Sequence, residues 1–320
     1  MASLRTFDMF CGGGGSSSGA ALAGAEIVGA VDLWDVAAQT HHLNFPSSTV
    51  YTNRVEEVTS KSLRKDIGKV DLLLASPECT SHSVAKGNKP RCEKSRETAF
   101  EVIRYAEVLN PRWVVVENVM QMQRWHRFEE WKSELEGLGY QTDVAVLNAK
   151  FFRTPQTRRR MILVADREAK PKLASGGRET TKTVASILGR GESKAKPWKF
   201  SPLKEKTEST LERAERAFSV VGKRTPFIMV YYGSDGAGGF QTIERPLRTV
   251  TTLDRFALVK PTSKGHVMRM LQPPELAAAM GFSSKFKWPK ITRREKIKLI
   301  GNAVCPQMMR DVVTALTSKK

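Results

Sequence analysis

Residues 4–32 read LRTFDMFCGGGGSSSGAALAGAEIVGAVD, and this stretch decides the fold. Its pattern predicts a strand over Leu4–Phe10, a glycine loop, a small-residue helix over Gly19–Ala25 and a second strand over Glu26–Asp32. A strand that runs through glycines into a helix is a common place for a nucleotide-like ligand to meet backbone N–H groups. A tight glycine turn without a ligand is an equally open interpretation of this motif alone.

The glycine loop does not match two well-known phosphate-binding loops. A P-loop needs Gly-Lys-Ser/Thr, which is absent, and the dinucleotide fingerprint needs a third glycine where Ser17 or Ser18 stands. Asp32, at the tip of the second strand, suits both hydroxyls of a ribose. It equally suits a cap for the helix that begins near Asp35. Loop and carboxylate together favour an adenosine-type cofactor without a pyrophosphate.

The rest of the first 165 residues repeats this strand–helix rhythm. The runs Val70–Ala75 and Trp113–Val116 are continuously apolar, which is typical of strands covered on both faces. Apolar residues recur at helical spacing between 99 and 109, and Tyr140–Leu147 and Arg160–Ala165 form two further strand patterns. The sequence therefore predicts an α/β fold, a Rossmann-like parallel sheet with helices on both faces.

Composition limits the class of protein and of partner. The 320 residues are 40% hydrophobic, and 52 basic against 33 acidic residues give a net charge of +19. The composition excludes collagen, a disordered chain and a coiled coil, and the excess of positive charge favours a polyanionic partner. No apolar run approaches the roughly 18 residues of a membrane span, and we expect no signal peptide. The four cysteines lack metal-ligand spacing, so we expect no metal site and a reducing compartment.

A basic segment follows the predicted sheet. Residues 167–224 hold 15 Lys and Arg against 7 Asp and Glu, a net charge of +8 over 58 residues. One interpretation is a solvated linker or surface insertion. The other is a module that faces nucleic acid, because phosphate contacts need many Lys and Arg side chains.

Cysteine at a strand end is a candidate nucleophile. Cys79 follows the run VDLLLA within Ser-Pro-Glu-Cys-Thr, at the edge of the sheet where reactive groups collect. A buried thiol that behaves as a small apolar residue is the common alternative. We keep that alternative for Cys11, Cys92 and Cys305.

Glu117 ends the run WVVV, where burial should raise the pKa of its carboxyl and suit it to proton donation. A hydrogen-bonded structural acid is the alternative. In Gln-Thr-Arg-Arg-Arg, Arg158 and Arg160 point to one side of a strand and Arg159 to the other. One side can therefore line the crevice, although three adjacent arginines are more often a solvated face.

In their order, these motifs resemble those of the cytosine-5 DNA methyltransferases along nearly the whole chain. The matching segments are FCGGGG at 10–15, the acid at 32, PEC at 77–79, ENV at 117–119, QTRRR at 156–160, ERPLRTVTT at 244–252 and GNAVCP at 301–306. Each segment is weak or moderate alone, but seven in series are very specific. One departure is Glu78, which stands between Pro77 and Cys79 where the family usually has proline directly before cysteine. Its charge can raise the pKa of the thiol.

The resemblance implies S-adenosyl-L-methionine as cofactor. It assigns to that cofactor Phe10, Gly12, Gly13, Gly14, Asp32 (the ribose), Trp34 (beside the adenine), Asn302 and Val304. It also assigns four catalytic roles: Cys79 as nucleophile, Glu117 at the cytosine N3 and amino edge, and Arg160 and Arg158 at the cytosine O2 and the active-site loop. The residue that accepts from the adenine amino group stays unassigned between Asn53 and Glu56.

The resemblance further implies a catalytic domain over 1–165, a small, irregular target-recognition region over 166–243, and a return segment over 244–320 that completes the catalytic domain and the cofactor pocket. It implies base flipping from double-stranded DNA at a short site, with S-adenosylmethionine as methyl donor. We expect a monomer in a bacterial or phage-infected cytoplasm, with any cognate restriction endonuclease acting separately. Two alternatives stay open: methylation of transfer RNA, and a DNA-binding protein whose catalytic site has decayed.

Overall fold

The computed structural model describes residues 3–78, 97–232 and 238–318. Within these ranges a seven-stranded sheet has the order β3-β2-β1-β4-β5-β7-β6. Its strands are β1 (Leu4–Met9), β2 (Ala25–Val31), β3 (Thr49–Tyr51), β4 (Leu72–Ala75), β5 (Trp113–Asn118), β6 (Gln141–Asn148) and β7 (Arg159–Asp166). The helices are α1 (Gly15–Leu22), α2 (Asp35–Asn44), α3 (Ser60–Ser62), α4 (Glu101–Leu109), α5 (Phe128–Gly137), α6 (Glu208–Val221), α7 (Pro273–Met280), α8 (Arg293–Asn302) and α9 (Pro306–Thr317).

The sheet is the α/β sheet that the sequence predicts, with one difference in strand direction. Strands β1 to β5 are parallel, whereas β7 pairs antiparallel with both β5 and β6. The expectation of a wholly parallel sheet was therefore wrong for β7. The connection from β6 to β7 is too short for a crossover helix, so the chain returns as an antiparallel neighbour.

Both faces of the sheet are buried, as the continuous apolar runs predict. In β4, Leu72 and Leu74 pack into the core on one face, and Leu73 and Ala75 pack into the core on the other. All four are at most 2% exposed. The alternation of side chains along a strand explains why one run supplies two cores.

Helix α1 begins four residues earlier than the sequence predicts. Gly14 adopts a φ of 87°, which turns the chain directly into a helix at Gly15, and Ser18 Oγ donates to the Gly14 carbonyl at 2.6 Å. Helix α9 lies against α1, and a Cβ at Gly19 would come within 2.5 Å of Met309 Cβ. The small residues of α1 thus allow the C-terminal helix to pack closely.

A second, antiparallel sheet lies after residue 200 in the chain. Its order is β10-β9-β11-β12-β8, with β8 (Ser201–Pro202), β9 (Phe227–Val230), β10 (Phe240–Thr242), β11 (Phe256–Thr262) and β12 (Gly265–Met270). Helix α6 packs its apolar side on this sheet. The predicted boundary between 243 and 244 runs through the sheet, because β11 and β12 belong to it. A buried ion pair, Arg269 to Glu275 at 2.7 Å, joins β12 to the start of α7.

None of the helices within the described ranges is both long and apolar enough to cross a bilayer. Those same ranges contain no group of three or more His, Cys, Asp or Glu side chains that could hold a metal ion.

Candidate active site

A cavity of about 360 Å³ opens at the carboxyl ends of β1, β2, β4 and β5. This is the edge of an open α/β sheet where ligands bind, and the volume is within the range of small-molecule sites. Most of the residues predicted for cofactor and base line this one cavity. They are Phe10, Gly12, Asp32, Trp34, Glu117, Arg158, Arg160, Asn302 and Val304.

The glycine loop reaches the cavity through a sharply turned backbone. Phe10 and Gly12 have φ values of 56° and 50°, in the left-handed region. Gly13 and Gly14 do not line the cavity: a Cβ on Gly13 would face Leu299 and Thr40, and Gly14 precedes α1. The loop is closely packed, since a Cβ on Gly15 would come within 2.4 Å of the Val304 carbonyl oxygen.

Asp32, at the tip of β2, joins the glycine loop to the turn that precedes α2. Its Oδ2 accepts from the Gly12 N–H and its Oδ1 from the Trp34 N–H, both at 2.8 Å. Burial raises the pKa of Asp32, and the nearby Lys298 ammonium partly offsets that rise. Nζ of Lys298 lies 4.1 Å from the centre of the Trp34 ring. Sequence reasoning missed Lys298 because α8 is distant in the chain.

A buried hydrogen-bond network, which the sequence does not reveal, also supports the glycine loop. Asp8 Oδ2 accepts from Ser17 Oγ at 2.6 Å and from the Ser17 N–H at 3.1 Å, and Ser17 Oγ lies 2.9 Å from His41 Nε2. All three side chains are fully buried. Burial raises the pKa of Asp8 to about 7 and lowers the pKa of His41 to about 3. The network fastens the end of β1 to α1 and α2, and so sets the path of the loop between them.

Glu117 and Arg160 form an ion pair within the cavity wall. Arg160 Nε lies 2.9 Å from Glu117 Oε1, and Glu117 is only 6% exposed. Burial raises the pKa of Glu117, while the guanidinium of Arg160 opposes that rise. The pair therefore presents a carboxyl group whose pKa is raised, beside a fixed positive charge. This arrangement can donate a proton to a ring nitrogen and stabilise a carbonyl oxygen.

Arg158 is 2% exposed and binds backbone. Its guanidinium donates to the carbonyl of Val250 at 2.9 Å, and to those of Gly301 and Ala303 at 2.9 and 3.1 Å. It thereby holds the segment that contains Asn302 against the segment that leads into the second sheet. Asn302 ends α8 and is exposed toward the cavity, whereas Val304 is buried beside α1.

Cys79 and Cys92 lie outside the described residues. Two residues before Cys79 are described: the Pro77 carbonyl accepts from Asn118 Nδ2 at 3.1 Å, and Glu78 lines the cavity. Burial of Cys11 and Cys305 raises the pKa of each thiol, to about 11 for Cys305, so neither is a ready nucleophile.

A charged pair in the cavity wall contains Glu56, one of the two candidate acceptors for the adenine amino group. Arg54 Nε lies 2.6 Å from Glu56 Oε1, and both side chains line the cavity, whereas Asn53 does not. Together with the half-buried Asp32 and the ring of Trp34, this pair makes the wall chemically suited to a nucleoside, because the wall offers oxygen acceptors beside an aromatic surface. The residues present therefore fit an adenosine-type cofactor.

Comparison with known proteins gives a consistent result. Residues 4–318 match the family described as C-5 cytosine-specific DNA methylase. The type II methyltransferase M.XorII of Xanthomonas oryzae is 31% identical over 191 residues, which are 57% of this chain and 45% of that protein. Mouse DNA (cytosine-5)-methyltransferase 1 is 34% identical over 180 residues, 51% of this chain and 11% of that protein. The chain thus spans less than half the length of these relatives.

The solved structure of a Spodoptera frugiperda DNMT2 variant superposes with a TM-score of 0.70 at 16% identity, covering 99% of this chain and 100% of that one. At this level of identity the similarity establishes the fold. Together with the sheet order, it confirms the predicted fold class.

Proposed function

The chain belongs to the C-5 cytosine-specific DNA methylase family, and from this premise we propose that it transfers a methyl group from S-adenosyl-L-methionine to carbon 5 of a cytosine in duplex DNA. One observation carries the proposal: a buried carboxyl–arginine pair, Glu117 and Arg160, and a nucleoside-type wall around Asp32 and Trp34 open into the same cavity. A base edge and a methyl donor can therefore meet there.

Cofactor binding falls to the wall around the glycine loop. Asp32 would accept from the ribose hydroxyls, and Trp34 would lie against the adenine. The loop residues Phe10 and Gly12 and the α8 residue Asn302 would enclose the remaining part of the molecule. When bound, S-adenosylmethionine supplies a methyl group on a positively charged sulfur, which is electrophilic. Gly13, Gly14 and Val304 act indirectly in this proposal, by shaping the loop and packing against α1.

The base chemistry falls to Cys79, Glu117 and Arg160. The Cys79 thiolate adds to cytosine C6, which places electron density on C5 while Glu117 donates a proton or strong hydrogen bond at N3. Arg160 stabilises the charge at O2. C5 takes the methyl group and leaves S-adenosylhomocysteine behind. The C5 proton is then lost to solvent, the N3 proton returns to Glu117, and the C6–S bond breaks to release the thiolate and restore the ring. Arg158 positions the walls and does not touch the base.

A stacked cytosine cannot enter such a cavity, so the target base must flip out of the duplex, at a cost of a few kcal/mol. The second sheet and its helix α6, with the basic residues before them, would supply the base and backbone contacts in a groove. The type II names of the bacterial relatives support a modification role. We propose a monomeric enzyme whose partner endonuclease, if one exists, acts separately.

Parallel assays with methyl-labelled S-adenosylmethionine test the proposal. Wild-type protein is incubated with mixed-sequence duplex DNA and, separately, with transfer RNA, and Glu117→Gln serves as the matched inactive control. We expect label in duplex DNA, at cytosine C5, and a strong loss with the variant. Label in transfer RNA alone, or equal labelling by the variant, would overturn the proposal.

A further inference from the structure

The segment 285–298, here called the cationic strip, is unusually basic. It contains seven Lys and Arg residues and one acidic residue, so 14 residues carry a net charge of +6 out of +19 for the chain. The strip begins after α7 and runs through most of α8. It therefore lies outside the basic segment 167–224.

Internal contacts hold the charges of Glu295 and Arg293, and most of the other charged side chains of the strip are exposed. Glu295 Oε2 accepts from the Thr292 N–H at 2.8 Å and from its hydroxyl at 2.7 Å, as part of the cap of α8. Arg293 pairs with Asp254 at 2.7 Å. Of the other six cations, Lys298 lies over the ring of Trp34. The other five form no ion pair with any residue of the described ranges; they are Lys285, Lys287, Lys290, Arg294 and Lys296.

Packing and hydrogen bonds hold the backbone of the first half of the strip in place. The rings of Phe282, Phe286 and Trp288 pack on one another, with centres 4.7 to 5.6 Å apart. The side chain of Asn44 bonds to both the N–H and the carbonyl of Lys287, each at 2.9 Å. The lysines that alternate with these rings are exposed. A row of like charges without acids between them is costly unless a polyanion neutralises it.

The strip lies on the catalytic unit and leads to the cavity. Its last cation, Lys298, lies over Trp34 in the cavity wall, while Lys287 lies beside the end of α2. Charges that extend away from the cavity would meet a polymer that continues beyond the reacting nucleotide.

We propose that the cationic strip binds the phosphates of duplex DNA that flanks the target site, without reading its bases. This inference rests on the proposed function. Lysines suit it because they act as point charges toward phosphate. Duplex is favoured over single-stranded nucleic acid, because the rings of the strip pack on each other and recognition of single strands needs rings free to stack on bases.

The test uses the full chain with Lys285→Gln, Lys287→Gln and Lys290→Gln combined. The matched control combines Lys61→Gln, Arg64→Gln and Lys65→Gln, which removes three exposed charges elsewhere on the catalytic unit. Binding is measured by fluorescence anisotropy over a range of salt concentrations, with a duplex of about one helical turn and one of about three turns. A melting curve for each variant checks folding.

For the long duplex, the magnitude of the slope of log K against log salt should be smaller by about 2 to 3 in the strip variant, because each lost phosphate contact removes ~0.9 from it. The short duplex and the control variant should bind with the slope of the wild type. An unchanged slope on the long duplex, or an equal change in the control, would overturn the inference. The inference would also be overturned if the strip variant lost affinity for transfer RNA and kept its affinity for the long duplex.

Failure of this inference is distinguishable from failure of the proposed function. Methyl transfer by the strip variant to a short duplex that carries the target site should match that of the wild type. If the wild type methylates DNA but the salt slopes are equal, only the role of the strip is wrong. If the wild type methylates no DNA, the proposed function fails first.

Discussion

Replacing Arg158 with methionine gives the sharpest prediction about the site. The guanidinium makes three hydrogen bonds to backbone carbonyls, with distances of 2.9 to 3.1 Å, and the side chain is 2% exposed. Hydrogen bonds from a charged group contribute about 1.5 to 3 kcal/mol each. At the lower value, Arg158→Met should lower the free energy of unfolding by about 4 to 5 kcal/mol. With an unfolding entropy of ~2.1 cal/mol/K per residue, that corresponds to a fall in melting temperature of roughly 7 °C for a chain of this length.

The same change should weaken the cofactor site, because two of the three carbonyls flank Asn302 in the cavity wall. We expect the affinity for S-adenosylhomocysteine, measured by calorimetry, to fall about tenfold or more, at ~1.4 kcal/mol per tenfold. Arg158→Lys should recover part of both losses, since a lysine can reach some of the carbonyls. Arg159→Met is the matched control, because Arg159 is exposed on the neighbouring position.

The reasoning is refuted if Arg158→Met melts and binds S-adenosylhomocysteine like Arg159→Met. If Arg158 contacted the base instead, the variant would lose kcat while keeping the stability and cofactor affinity of the control.

Three further predictions concern single side chains. Cys79→Ser should abolish methyl transfer but retain binding of DNA and S-adenosylhomocysteine, and an active serine variant would show that the thiol is not the nucleophile. The wild type should also form a denaturation-resistant complex with DNA that carries 5-fluorocytosine, seen as a shifted gel band. Burial raises the pKa of Glu117, so the rate of single-turnover methyl transfer should decline as the pH rises through that pKa. Glu117→Gln should remove this decline from the pH–rate profile, and an unaltered profile in the variant would contradict the role of Glu117. The carboxyl of Asp8 has a pKa of about 7 against an ordinary 3.8, so the folded state favours its protonated form. The free energy of unfolding should therefore be highest at low pH and fall by ~4 kcal/mol as the pH rises from about 4 to 7. Asp8→Asn should remove that dependence in urea unfolding at several pH values; parallel curves for the two proteins would show that Asp8 is already ionised.

The sheet is predictable from the sequence because each strand is a short apolar run with a strong local signal. The direction of β7 is not, since it depends on the length of the connection from β6 rather than on the residues of β7. The assignment of β11 and β12 to the second sheet is hidden for a similar reason: an apolar run shows that a strand is buried, but not which sheet covers it.

The candidate site is predictable where a residue follows a strand end. Glu117 and Arg160 are 43 positions apart in the chain, yet β5 and β7 pair in a register that opposes Asn118 to Met161 and so brings the two side chains together. The contacts of Lys298 with Trp34, and of His41 with Ser17, arise from helix packing across the domain. No spacing in the sequence encodes them.

Base-resolution bisulfite sequencing of DNA from cells that express the chain tests the central claim most directly. Cells that express Cys79→Ser serve as the reference. The account predicts cytosines protected from conversion at one fixed position of a short recurring sequence, with wild type only. Complete conversion of genomic cytosines in cells that contain folded wild-type protein, or the same protected positions with the serine variant, would contradict it.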